Sequence, residues 1–326
     1  MKTKHNWYER WTLVILFVLL GAGLLVSDAA AQRLNVMTTT EDLASLVREV
    51  GGDRVQVESI ARGYQDPHYV EAKPSFLLKL QKADLLVLVG LQLEIGWLPP
   101  LITQSRNPRI QVGAPGYLDA STVAAILEKP TGPVTRAMGD VHPLGNPHYW
   151  LEPGNGRRIA QAIQQKLAQL DPPGAPSYAQ RFQDFDRRLR EAEARWDQEI
   201  SALKGTEVIT YHSSWPSFTE RFGLRVVGYV EPKPGIPPSP SHTLEVINQI
   251  KQDKIKLILV EPYFDLKTPK AIANQTGAEV LVAGVRCCLA SSFAALRSAT
   301  AFSAAAFSAA AFCLASHAVA ATRPFS

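Results

Sequence analysis

The chain has 326 residues, 46% of them hydrophobic and 20% charged, enough for two domains with a sizeable core. Its formal net charge of +4 belongs to the two ends, because the stretch from Gln32 to Ala283 carries 28 basic and 28 acidic residues. A neutral body argues against nucleic acid as a partner. All three cysteines, Cys287, Cys288 and Cys313, lie in the last stretch, which excludes a disulfide framework or a thiolate metal site in the body.

At the start, Lys2, Lys4 and Arg10 precede an uncharged run from Thr12 to Val26, and Ala29-Ala30-Ala31 supplies an A-x-A cleavage site. Residues 1–31 therefore read as a secretory signal peptide. The run is short for a membrane span of about 20 residues, and no cysteine directly follows it. The expectation is a periplasmic protein, freed by cleavage and not a lipoprotein.

Residues 32–176 read as an N-terminal α/β lobe. Leu34–Met37 is a strand, Glu41–Val50 a helix ending at Gly51-Gly52, and Val55–Ile60 a second strand that runs into a Gly- and Pro-punctuated turn at 62–68. Lys73–Ala83 is helical, and Asp84–Gly90 (DLLVLVG) is a near-continuous apolar strand. Such strands, alternating with helices, predict a parallel sheet buried on both faces. Trp97–Thr103 reads as a helix, Arg109–Val112 as a strand, Pro130–Gly145 as a loop and Pro153–Leu170 as an amphipathic helix.

The next stretch, 177–205, predicts one long helix. Tyr178, Phe182, Phe185, Leu189, Ala192, Trp196, Ile200 and Leu203 recur at steps of three or four, with charges on the opposite face. Pro172, Pro173 and Pro176 oppose an earlier start, Ser177 with Gln180 reads as a capping box, and Gly205 as a C-terminal stop. The alternatives are a coiled-coil arm and a spine joining two lobes. The βα patterns on both sides favour the spine.

Residues 206–283 repeat the α/β pattern as a C-terminal lobe. Glu207–Tyr211, Leu224–Val230, Lys256–Glu261 and Glu279–Val282 are strands. Trp215–Phe222, Thr243–Asp253 (with Ser241 as cap) and Thr268–Thr276 are helices, and Glu231–Ser241 is a proline-rich extended loop. The fold class is α/β, two lobes with parallel sheets flanked by helices and joined by one long spine helix. A ligand belongs in the interlobe cleft, at the strand C-termini. Residues 284–326 depart from this pattern. They are rich in Ala, Ser and Phe with no acidic residue, Ala301–Ala315 repeats a five-residue unit (AFSAA-AFSAA-AFCLA) that matches neither helix nor strand, and the stretch reads either as a low-complexity tail or as the product of a reading-frame change.

The chemistry lies in the histidines. His68, His148 and His212 each fall where a strand or loop hands over to a helix. Neutral imidazole suits Zn²⁺ and other borderline metals, and tetrahedral zinc takes three or four such ligands. Their separations are too long for a zinc finger, so the fold must assemble the site.

The motifs around these positions resemble the zinc/manganese class of solute-binding proteins of bacterial ABC transporters. They are Asp66–His68 (DPH), Gly145–Pro153 (GNPHYWLEP), Tyr211–Trp215 (YHSSW), Pro234–Ser239 (PGIPPS), Val260–Pro262 (VEP) and Thr276–Val282 (TGAEVLV). The resemblance runs from about Leu34 to Val282. It implies a receptor rather than an enzyme, with Zn²⁺ as bound cargo, Mn²⁺ as the lesser alternative, a membrane ABC permease as partner and a monomeric state. It places the metal ligands on His68, His148 and His212. Manganese members commonly carry a carboxylate at the third position, so His212 favours zinc. Their usual fourth ligand is an Asp after the last strand, and Ala283-Gly284-Val285-Arg286 has none. Glu261 is the nearest substitute, either as the fourth ligand or as a carboxylate supporting the others, and a water is the other option. Zinc members often carry a long His-rich loop before the second ligand. Here only Gly139–Pro143 stands there, which makes His142 at most a weak auxiliary ligand, and His242 reads as structural. Two other functions fit three histidines. One is a zinc hydrolase with Glu261 as general base, although HExxH and GxSxG are absent. The other is a metal-containing adhesin.

Overall fold

The computed structural model describes residues 33–282. The leader read at 1–31 and the tail read at 284–326 lie outside the described residues. Four strands, β1 (Leu34–Thr38), β2 (Val55–Ser59), β3 (Leu85–Leu88) and β4 (Tyr117–Asp119), form a parallel sheet in the order β2-β1-β3-β4. The other four, β5 (Glu207–Thr210), β6 (Arg225–Tyr229), β7 (Leu257–Val260) and β8 (Glu279–Val282), form a second parallel sheet in the order β6-β5-β7-β8. In both, the first strand in sequence sits inside the sheet and the chain switches direction there. β3 and β7 are fully buried, as their unbroken apolar runs require of strands covered on both faces.

Helices α1 (Glu41–Gly51), α2 (Pro74–Lys82), α3 (Leu98–Ser105) and α4 (Pro153–Leu170) belong to the first lobe. α5 (Ala175–Ile200) is the spine, and α6 (Pro216–Phe222), α7 (Pro240–Asp253) and α8 (Lys267–Thr276) belong to the second lobe. α1, α4 and α5 pack on one another over one face of the first sheet, and α2 and α3 pair on the other. The 26 residues of α5 span roughly 39 Å. Its stripe of Tyr178, Phe185, Leu189, Ala192, Trp196 and Ile200 is buried, each large side chain contributing about 1.5–3 kcal/mol relative to exposure. This stripe belongs to a single apolar cluster that continues into the second lobe through Val208, Trp215, Phe218, Phe222 and Leu257. The two lobes therefore share a core. Among the described residues, no helix is long and apolar enough to cross a membrane.

Three local expectations are corrected. The fourth strand is Tyr117–Asp119, not Arg109–Val112. Asn107 caps a 3₁₀ turn at Pro108–Ile110, its side chain accepting from the Arg109 amide at 3.0 Å and donating to the Leu80 and Ala83 carbonyls. The chain joins the sheet only at Gly116, whose amide bonds to the Arg109 carbonyl and whose carbonyl takes the Leu86 amide. A Cβ on Gly116 would lie 2.2 Å from the Asp84 carbonyl oxygen, so this approach needs glycine. The spine starts at Ala175, with Pro176 in its first turn and no side-chain cap, so Ser177 lies inside the helix. In place of the capping box, Asp171 holds the entry by accepting from Arg54 at 2.8 and 3.0 Å and from the Tyr178 hydroxyl at 2.7 Å. The helix ends at Ile200, before Gly205, and a 3₁₀ turn over Ser201–Leu203 follows. In α7 the capping side chain is Ser239, which accepts from the His242 amide, because the helix begins at Pro240.

Candidate metal centre

All eight strands point their C-terminal ends towards the cleft, and the three histidines singled out by sequence meet there. One ligand nitrogen from each of His68, His148 and His212 lies within 4.8 Å of the other two. Their ring centroids are 5.2 Å (His68–His148), 5.3 Å (His148–His212) and 5.6 Å (His68–His212) apart.

Two of the rings are set by the same local device. In Asp66-Pro67-His68, the Asp66 carboxylate accepts the His68 backbone N–H at 2.9 Å and lies 2.7 Å from the ring Nδ1. In Asn146-Pro147-His148, Asn146 Oδ1 does the same, at 2.9 Å for each contact. This is an Asx turn whose middle residue is a proline with no N–H of its own to satisfy. The His212 ring is set by a distant residue, its Nδ1 lying 2.7 Å from the Glu231 carboxylate. With Nδ1–H donating to an oxygen in each case, we assign the lone pair to Nε2. The Nε2 atoms of His68 and His148 are buried and have no hydrogen-bond partner among the described residues.

The electrostatics suit a cation. His148 is 2% exposed, and burial together with neighbouring imidazoles holds its pKa well below the ordinary value, which keeps the lone pair free. At His212 burial opposes protonation, but the hydrogen bond and charge of Glu231 outweigh it and raise the pKa. Burial also opposes ionisation of Asp66, yet the hydrogen bonds from His68 leave its carboxyl below the usual range. Two carboxylates thus stand directly behind two of the three rings, an arrangement that would offset the charge of a divalent ion held between them.

Glu261 is buried at the end of β7, close to this group. One of its oxygens accepts the Trp215 indole N–H at 3.1 Å, and the other has no hydrogen-bond partner among the described residues. Burial pushes its carboxyl up to about 7. It is not part of the three-histidine cluster. His142 stands beside His68, with ring centroids 5.4 Å apart. His242 lies away from the cluster at the start of α7, its Nε2 3.0 Å from the Tyr229 carbonyl.

Sequence reasoning passed over Asn146 and Glu231. Asn146 also donates from Nδ2 to the Ser213 carbonyl at 2.7 Å, linking the His148 turn to the residue after His212. Its signal was available in the repeated Asx-Pro-His pattern. Glu231, 6% exposed, was hidden in a proline-rich loop 19 residues from its partner.

Two parallel α/β lobes on one long helix, with imidazoles of both lobes converging at the strand ends, have the architecture of a metal-receptor solute-binding protein. The family model described as zinc-uptake complex component A, periplasmic, matches residues 36–285, and the chain belongs to this family. Among curated relatives, the iron-binding protein YfeA of Yersinia pestis is 23% identical over 279 residues, covering 81% of this chain and 84% of the relative. The manganese ABC transporter substrate-binding lipoprotein PsaA of Streptococcus pneumoniae is 24% identical over 276 residues, covering 81% and 86%. A crystal structure of ZnuA shares the fold with a TM-score of 0.66 at 24% identity, covering 89% of this chain and 98% of that one.

The family is one of solute-binding receptors of metal ABC transporters, not enzymes, so the hydrolase alternative falls away. Such proteins bind metal ions as cargo and work with a membrane permease. The expectation that the chain is not a lipoprotein is overturned, because PsaA and several other relatives are named lipoproteins. That expectation rested on the residues around one apolar run, which lie outside the described residues, and a run of this kind does not by itself determine how the mature chain is anchored.

Proposed function

We propose that the protein captures Zn²⁺ in preference to Mn²⁺ and delivers it, as a monomer, to an ABC permease, with His68, His148 and His212 as the ligands. The observation that carries this reading is the donor set. Three imidazoles converge, each with its Nδ1 engaged by an oxygen, and among the described residues no carboxylate belongs to the cluster. Nitrogen donors favour zinc, whereas manganese prefers oxygen. Zn–N distances of about 2.0–2.1 Å put tetrahedral ligand nitrogens about 3.4 Å apart, a spacing compatible with three nitrogens that lie within 4.8 Å of one another. Glu261 supports the site through its hold on the Trp215 indole. Binding, not turnover, is the chemistry. Elemental analysis of the purified full chain, with competitive titration of Zn²⁺ against Mn²⁺, tests the reading. Zinc should co-purify and win the competition, and manganese selectivity would overturn it.

A further inference from the structure

The two Asx-Pro-His turns differ at their first residue. One opens with Asp66 and the other with Asn146, although each side chain does the same for the histidine that follows, accepting its backbone N–H and its ring Nδ1–H. A carboxylate would serve a ligand ring at least as well as an amide, since negative charge behind the ring favours a bound cation. The neutral amide at 146 therefore calls for another explanation, and its nitrogen supplies one. Nδ2 of Asn146 donates to the Ser213 carbonyl at 2.7 Å and to the Glu128 carboxylate at 2.8 Å. An amide accepts on one side and donates on the other, whereas an ionised Asp only accepts. The neighbours fix which way the amide points. The His148 backbone N–H can only donate, and the Ser213 carbonyl can only accept.

Both ends of this bridge are held. In the first lobe the Asn146 backbone amide donates to the Leu127 carbonyl at 2.9 Å. A Cβ on Gly145, at φ 113°, would clash with Ile126 Cγ2 and the Leu127 carbonyl, so the chain before Asn146 lies directly on the 126–128 turn. Glu128 sits in that turn at φ 50°, a left-handed conformation that costs energy for a residue with a Cβ and that tends to collect at functional sites. Its carboxylate accepts from Asn146 and lies 3.4 Å from the Ser213 hydroxyl. In the second lobe the buried Thr210 hydroxyl donates to the His212 carbonyl at 2.8 Å, which pins the peptide joining His212 to Ser213. Asn146 thus ties a ring of one lobe, two residues ahead of it, to the residue that follows a ring of the other.

We infer that Asn146 is a positioning residue that latches the two lobes at the metal centre, holding His148 and His212 as one unit, so that release of the ion requires the bond to Ser213 to open. The inference rests on the three-histidine reading above. It gives the amide a kinetic role. The bond lies within the assembled site, so its loss shows in dissociation more than in association.

Asn146→Asp in the full chain tests this, because the two explanations of residue 146 predict opposite signs. The variant keeps the turn and the ring contact, as Asp66 does in its own turn, and adds negative charge behind His148. If residue 146 served only to support the ring, Zn²⁺ binding should tighten. The latch requires the reverse. Zn²⁺ dissociation, followed by stopped flow into excess chelator, should be about tenfold faster, with the association rate within about twofold of wild type and the apo far-UV spectrum retained. Combining Asn146→Asp with Glu128→Ala removes the repulsion between the two carboxylates but restores no donor to Ser213, and should release Zn²⁺ as fast as Asn146→Asp alone. Tighter binding or wild-type dissociation in Asn146→Asp, or wild-type dissociation in the double variant, would overturn the latch. His148→Ala distinguishes the two readings. If it loses Zn²⁺ while Asn146→Asp binds it more tightly, only the latch fails. If His148→Ala keeps Zn²⁺ binding, the three-histidine site fails and the latch with it.

Discussion

The two sheets have the same strand order, β2-β1-β3-β4 against β6-β5-β7-β8, and present their C-terminal ends to one cleft. What they bring to it differs. The first lobe supplies His68 and His148 on Asx-Pro-His turns, each ring oriented from two residues away. The second supplies His212 alone, two residues past β5, and orients it with Glu231 from a separate loop. The side chain of Glu231 is 6% exposed and that of Asp66 21%. The second lobe also buries Glu261 beside its histidine. One lobe thus contributes rings with local supports, and the other a single ring backed by buried negative charge. A duplicated topology fixes where a ligand can sit, while loop sequences decide what each half does to it.

The comparison breaks most sharply at the ligands. His148→Ala and His212→Ala, one from each lobe, should each weaken Zn²⁺ binding by about three decades, or ~4 kcal/mol, with the apo far-UV spectrum retained. Titration calorimetry with a competing chelator measures this. A large loss in only one of the two would mean that the site belongs to one lobe.

A smaller effect separates the supports. Glu231→Gln should lower Zn²⁺ affinity by about 10–100-fold and Asp66→Asn by less, since Asp66 is the more solvated of the two and its local turn survives with the amide. Equal losses would remove the distinction drawn between the lobes.

Glu94 gives a stability test confined to the first lobe. Burial raises its carboxyl from 4.5 to about 7 in the folded chain. A raised pKa means that the folded state holds the proton more tightly. Its stabilising contribution is full below pH 4.5 and is lost as pH rises to about 7. Glu94→Gln cannot titrate, so the apo stability of the variant relative to wild type should improve over that window. Denaturant midpoints of both proteins across the window read this out, and a constant difference would contradict it.

The smallest expected change is global. The spine's buried stripe belongs to one core that includes both lobes, so metal binding should tilt the lobes only slightly. Small-angle scattering of apo and zinc-loaded protein should give nearly equal radii of gyration, and a marked contraction would show the lobes to be independent.

Much of this was legible in the chain itself. Residues 34–282 declared alternating strands and helices, because the period of apolar residues is a local property that each element carries alone. The 26-residue spine and the apolar runs of β3 and β7 are such cases. His68, His148 and His212 were also recognisable, since they sit at element boundaries where side chains are free to serve a ligand. β4 was misplaced because Tyr117–Asp119 is too short to show a period, and its strand character comes from pairing with β3. Only the tertiary structure decided the rest of the site. Glu231 reaches His212, and Asn146 reaches Ser213 across 67 residues. Hydrogen bonds of that span depend on how the sheets and spine place separate loops in space, and no local pattern of residues encodes them.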